Sequence, residues 1–251
     1  MGNREITIGK MKKCHGQSLV QFIIIMPVFF ALLFGIFEMT YAYRAKATLN
    51  TATFEAARAG ALNHADLGVM KSALANGMMA QYVKGNKSLI KGLGRAYVKS
   101  IAYEKAMSLK LSTVSIIAPT KEVFDAFKVN RMIQLSDQPK ERLQWIMPND
   151  NLNFRSTTPQ NITVDGKKQQ INIQDANLLK IKTYWCYELK VPLLKDLIFQ
   201  IIKGGALWGA ASPEQTVCNI GSIFGGGRFM AISAHAVVRM QSPISAAADL
   251  K

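Results

Sequence analysis

Acidic side chains are scarce: 251 residues hold 16 Asp and Glu against 31 Lys and Arg, for a formal charge of +15. Histidine and cysteine are scarcer still, with three of each and no H-x-x-x-H or Cys/His spacing, so no metal set is expected. There is no G-x-S-x-G elbow and no complete phosphate loop; Gly85-Asn86-Lys87-Ser88 and Gly92-Leu93-Gly94 match such loops only in fragments. His235 would make a thiol–imidazole pair with Cys186 only if the fold joined them. The chain therefore does not read as an enzyme: no catalytic residue, cofactor site or metal site stands out. A second long apolar run is missing too, which excludes a multi-pass membrane protein. Nor does the positive charge mark a nucleic-acid groove. Residues 1–16 carry a net +3, and the remaining +12 is spread mostly as single lysines between apolar residues, without a dense arginine run or an RNP-type aromatic box. Solvated surface charge is expected, with attraction to anionic membrane lipid left open and no specific nucleic-acid partner.

What is present is concentrated near the N-terminus. Gln17 to Phe37 contains no ionisable residue, and Phe22 to Phe37 reads FIIIMPVFFALLFGIF, interrupted only by Pro27 and Gly35. As a helix these 21 residues rise about 31 Å, close to the hydrocarbon thickness of a bilayer. Lys10, Lys12 and Lys13 precede the run, so the positive-inside rule predicts a cytoplasmic N-terminus and an exported remainder. The helical pattern then continues to Gly60, and Ala42, Ala45, Leu49, Ala52, Ala56 and Ala59 form a seam at alternating spacings of three and four. That seam faces either a partner helix or the protein's own domain. A signal peptide cut near Tyr41-Ala42 is the competing reading, and it would need extended chain where the helical pattern persists.

The segment from His15 to Ala61 resembles the N-terminal domain of TadE-like pseudopilins. In that pattern a glycine is followed four residues later by Val-Glu-Phe, then an apolar run with an early proline, a Gly-Ile-x-Glu step and an Ala-rich extension ending in Glu-Ala-Ala-Arg. Gly16, Phe22, Pro27, Gly35-Ile36-Phe37-Glu38 and Glu55-Ala56-Ala57-Arg58 stand at the corresponding places. The resemblance extends to Ala118-Pro119-Thr120, to 148–152, to 173–180, to Lys190-Val191-Pro192-Leu193 and to 238–242. It implies a basic prepilin-type leader cut after Gly16 by a prepilin peptidase, with Gln17 as the new N-terminus. A cleaved bond must lie extended in the protease, and glycine admits that backbone. One departure matters. Gln21 stands where pilins place Glu to neutralise a neighbouring subunit's ammonium, and an amide cannot cancel a charge buried in an apolar filament core. A minor, priming or membrane-resident role fits this better than the main fibre subunit.

Glu38 closes the apolar run; it either marks the helix exit into water or pairs with a partner helix, since ionisable groups at membrane depth are expensive unless paired. Beyond Gly60, helices are predicted at about 64–83 and 87–110, broken at Gly85-Asn86. A strand at 111–117 and a helix capped by Thr120 follow. A hairpin is predicted to turn at Asp165-Gly166 between 161–164 and 170–173, with long strands at 178–193 and 229–240 around a Gly-rich region, 203–227. Cys14 falls in the leader, leaving Cys186 and Cys218 in the exported part, paired as a disulfide or both unpaired. The fold class expected is α+β and pilin-like: a leader (1–16), a transmembrane helix (17–38), its periplasmic extension (39–62), and a periplasmic domain (63–251) with helices and an antiparallel sheet.

Together these features describe a single-pass protein of a bacterial inner membrane, a structural assembly component of a tight-adherence (Tad/Flp) pilus system. The partners implied by the resemblance are a prepilin peptidase, other pseudopilins, the major Flp-type pilin and inner-membrane platform proteins; entry into the pilus itself is left open. The alternatives are an unprocessed membrane-anchored periplasmic binding module and a secreted enzyme behind a cleaved signal peptide.

Overall fold

The computed structural model describes residues 17–83, 89–133, 142–149, 156–164, 166–192, 194–203, 211–225, 227–245 and 250. The leader with Gly16 and Cys14, the Gly85-Asn86 break, Asp165 of the hairpin turn and Leu193 lie outside these. Helix α1, Gln17–Leu62, is continuous, with Pro27 inside it. It ends in two left-handed residues, His64 (φ 56°) and Ala65 (φ 61°), where the Ala65 amide closes back on the Gly60 carbonyl at 2.9 Å. Helix α2, Leu67–Met78, follows at once, its first turn capped by the Asp66 carboxylate, which accepts from the amides of Gly68 and Val69. After a short 3-10 turn, Met79–Tyr82, comes α3, Leu89–Ser108.

The remaining elements are β1 (Val114–Ala118), α4 (Lys121–Phe127), β2 (Val129–Ile133), β3 (Arg142–Ile146), β4 (Gln160–Val164), β5 (Lys167–Ile171), α5 (Ile173–Ala176), β6 (Leu178–Glu188), α6 (Leu194–Lys203), α7 (Pro213–Gly225) and β7 (Phe229–Arg239). The main sheet is antiparallel in the order β1-β6-β7, and β2-β3 and β4-β5 form separate two-stranded pairs. The molecule is thus a long apolar helix followed by a helix and antiparallel-sheet domain, an α+β fold.

Strand alternation decides which element covers which face. Along β6, Leu179, Ile181, Thr183, Trp185 and Tyr187 are buried on the side of α1, while Lys182 and Cys186 point to α7. On the partner strand, Ala234 and Ala236 sit opposite Thr183 and Ile181 and face α1 with them. Small side chains on both surfaces let helix and sheet approach closely. Ala45, Leu49, Ala52 and Ala56 are at most 1% exposed, so the Ala-rich seam packs on the protein's own domain. The hydroxyls of Thr53 and Thr183 meet at 2.6 Å in this interface, and Lys46 donates to the Ser233 carbonyl. These polar groups thereby have partners inside the interface.

The α1–α2 contact is tighter still. A Cβ added at Gly77 would lie 2.5 Å from the Ala52 Cβ and 2.8 Å from its Cα, and backbone cannot swing aside. Gly77→Ala is expected to destabilise by about 1–3 kcal/mol through overpacking, although alanine favours a helix by about 1 kcal/mol. Gly94→Ala in α3, where no atom lies within 4 Å of the added Cβ, should be neutral or stabilising. Thermal melts of both variants check this: equal midpoints would show that the helices are not in contact at Gly77.

Several elements depart from expectation for identifiable reasons. The hairpin turns at Gly166 (φ 74°), but β5 starts at Lys167 because a two-residue connection pairs Val164 with Lys167 directly; Ile173 then opens a helix. Thr120 occupies the N-cap of α4 without making the expected side-chain bond. The Gly-rich region contains a helix, α7, which Pro213 opens at the first helical position and Ser212 caps through its hydroxyl to the Gln215 amide.

Candidate membrane and assembly surface

From Leu19 to Phe37 most side chains of α1 are exposed, among them Ile23, Ile24, Phe29, Phe30, Leu32 and Ile36. An apolar surface of this length has no counterpart on a soluble domain, where contiguous patches stay within a few hundred Å². The described residues leave most of this stretch uncovered, and it is long and apolar enough to cross a membrane. Gln17 is the first helical residue, and Gln21 lies exposed on the apolar half. Pro27 is exposed as well; lacking an N–H, it leaves the Ile23 carbonyl without its helical donor.

Glu38 does not stand at a helix exit into water. It is 3% exposed, buried under the chain that leaves β6. Its carboxylate accepts from the Tyr187 hydroxyl at 3.0 Å, from the Lys190 amide at 3.1 and 3.3 Å, and from the Val191 amide at 2.7 Å. The same bonds explain why β6 ends short of the predicted 193: the Leu189 amide still reaches the Arg228 carbonyl at 2.8 Å, but the amides of Lys190 and Val191 turn to the carboxylate and leave the ladder. Burial and the neighbouring carboxylate push the Tyr187 phenol well above its usual range, so it remains a donor.

A second tie holds the other end of the embedded half of α1. The Ala61 carbonyl accepts from the amides of Gln241 and Ser242, both at 3.0 Å, and from the Ser242 hydroxyl at 2.9 Å. His64 Nδ1 lies 2.8 Å from the Pro243 carbonyl. Between Glu38 and Ala61 the helix advances about 35 Å, the length of an eleven-residue strand such as β6. Helix and sheet are thus fastened to each other at both ends.

Beside the Glu38 tie lies a groove of about 900 Å³ walled by Tyr82, Tyr103, Trp185 and Tyr187, with Arg95, Lys99, Lys190 and Lys195 around it against a single carboxylate, Glu188. The Trp185 indole donates to the Tyr82 hydroxyl at 3.0 Å, and Lys99 Nζ stands 5.2 and 5.5 Å from the Tyr82 and Tyr103 ring centroids. The groove holds no histidine. Cys186, which also lines it, is bonded to Cys218 with a Cα–Cα distance of 5.5 Å. His235 sits opposite Lys182, four residues along the strand pair from Ala231, the partner of Cys186, so no thiol–imidazole pair forms. Among the described residues no group of three or more His, Cys, Asp or Glu is placed to hold a metal.

Comparison with known proteins adds one match. Residues 16–58 fit the family model described as TadE-like protein, and the distal segments from Ala118 onward lie outside that match. No curated protein and no solved structure matches the chain. The matched residues are those of the exposed apolar helix, Glu38 and most of the seam on the sheet, and over that segment the chain is similar to TadE-like proteins.

Proposed function

We propose that the chain is a membrane-anchored, pseudopilin-like structural component of a tight-adherence (Tad/Flp-type) pilus system, with no catalytic role. The observation that carries this reading is the lipid-length apolar half of α1, uncovered by its own domain and lying within the TadE-like match. The N-terminus is cytoplasmic and the domain periplasmic, as Lys10, Lys12 and Lys13 before the span favour. The Cys186–Cys218 disulfide is in keeping with an oxidising compartment. A signal peptide cut near Tyr41-Ala42 fits poorly, because cleavage there would sever Glu38 from the Tyr187, Lys190 and Val191 groups it satisfies. Partners in this reading are a prepilin peptidase acting after Gly16, a second pseudopilin, the major pilin and the inner-membrane platform. Gln21, a neutral amide on the exposed helix, suits a subunit whose contact is made once and need not repeat.

Processing supplies the test. Gly16→Val should block cleavage, since a β-branched residue restricts the backbone at the scissile bond, and full-length protein should accumulate in the membrane. A mature protein beginning at Gln17 in wild type and absent in the variant is the expected result; an unchanged mature mass counts against it. The groove of tyrosines and lysines favours a second reading, an unprocessed anchored binding module, for which wild-type protein would retain its Met1 end.

A further inference from the structure

Helix α6, LKDLIFQIIK, places Leu194, Leu197, Ile198, Ile201 and Ile202 at the spacings that gather apolar residues on one stripe. In a soluble domain that stripe would enter the core. Here the residue driven deepest is Phe199, outside the stripe, 5% exposed beneath the Arg228 guanidinium, while Arg228 Nε also donates to Asp196 at 2.8 Å. The stripe itself is only partly covered, and Leu197 is 55% exposed.

The position of α6 decides what completes its burial. It packs on α1, and Leu194 shares an entirely apolar notch of about 380 Å³ with Pro27, Phe30, Ala31 and Phe34. Phe34 and Phe30 precede Phe37, the last residue of the uncharged run, by roughly 5 and 10 Å of helix. Amphipathic helices lying in a bilayer surface bury their apolar faces to a depth of about 5–10 Å. Nearer the domain, Lys190 Nζ stands 5.2 Å from the ring centroid of exposed Tyr41, a basic and aromatic pair suited to head-group level.

We propose that α6 is an interfacial helix whose apolar stripe rests in the leaflet crossed by the second half of the span, with acyl chains filling the notch at Pro27. The proposal rests on the membrane-anchored reading above. Lipid is the occupant because the stripe is continuous with the lipid-facing surface of α1, and because the notch offers no polar group that would fix the register of a partner helix. The protein then meets the membrane at two places, and its domain has a defined tilt on the surface.

The test uses the full chain with Cys14→Ser, its disulfide intact, reconstituted in phosphatidylethanolamine–phosphatidylglycerol vesicles. Phe29→Cys, Leu197→Cys and Asp125→Cys are each labelled with nitrobenzoxadiazole and exposed to lipids spin-labelled near the head group or deep in the chain. Asp125 lies on α4, after the end of β1 remote from Glu38, and reports the aqueous domain. Phe29 should be quenched by deep lipid, and Leu197 should be blue-shifted and lose fluorescence to shallow lipid; Asp125 should do neither. Quenching at Phe29 with Leu197 behaving like Asp125 overturns the proposal and leaves the anchor standing. A blue shift at Leu197 without quenching by either lipid also overturns it, because protein would then cover the stripe. No quenching at Phe29 means that the anchor itself fails, and the α6 proposal falls with it.

Discussion

Glu38→Ala should cost the protein roughly 3 kcal/mol, because a single buried carboxylate satisfies three donors. The Tyr187 hydroxyl and the amides of Lys190 and Val191 would lose a charged partner together, and hydrogen bonds to charged groups are worth about 1.5–3 kcal/mol each before water re-enters the site. Glu38→Gln should recover part of this, since its oxygen can accept from the Lys190 and Val191 amides and its nitrogen can donate to the Tyr187 hydroxyl, while the strengthening by charge is lost. Tyr187→Phe removes one bond and leaves the backbone pair, so about 1 kcal/mol is expected. Denaturant titration in detergent micelles ranks the three, and a Glu38→Ala midpoint equal to wild type would mean that the carboxylate does not fasten the helix to the sheet.

Removing the disulfide with the paired Cys186→Ala and Cys218→Ala changes should lower stability by about 3–4 kcal/mol in the chain-entropy model for a closed loop of this length. α6 lies between the two cysteines, and Cys218 itself stands within α7. Their release should be local: amide exchange should rise first in α6 and α7, while β6 and β7, joined by eleven paired residues, keep their protection. Equal deprotection of strands and helices would show instead that the bridge supports the whole sheet. The α7 face has further holds: Gln215 donates to the Phe229 carbonyl at 3.0 Å and accepts from the Ala231 amide at 2.8 Å, Ser222 accepts from the Phe229 amide at 3.3 Å, and Lys182 reaches Glu214 at 2.6 Å and keeps that carboxyl below its usual range. A partly exposed pair of this kind contributes at most about 1 kcal/mol, too little to replace the covalent link.

Local chemistry made some features legible and hid others. α1 could be read because 21 residues without charge, followed by alanines at helical spacing, admit few other structures. The hairpin was legible from Asp165-Gly166, although pairing begins nearer the turn than alternation suggests. α6 and α7 were obscured by the glycines at 204–205 and 225–227, even though LKDLIFQIIK has helical periodicity and Pro213 is a helix-start signal. The role of Glu38 could not be read at all. Its partners lie some 150 residues away, and two of them are backbone amides, which leave no mark in a side-chain pattern.

Fastening at Glu38 and at Ala61 also limits how the anchor can move. Sliding α1 by one residue along its axis would turn its faces by about 100°, swinging Ala52 and Ala56 off the sheet and Glu38 away from the amides of Lys190 and Val191. A piston stroke is therefore closed to this molecule. Whatever lifts or rotates the membrane half must carry the sheet with it as one body, so that an event within the bilayer is felt undiminished at the far end of the domain.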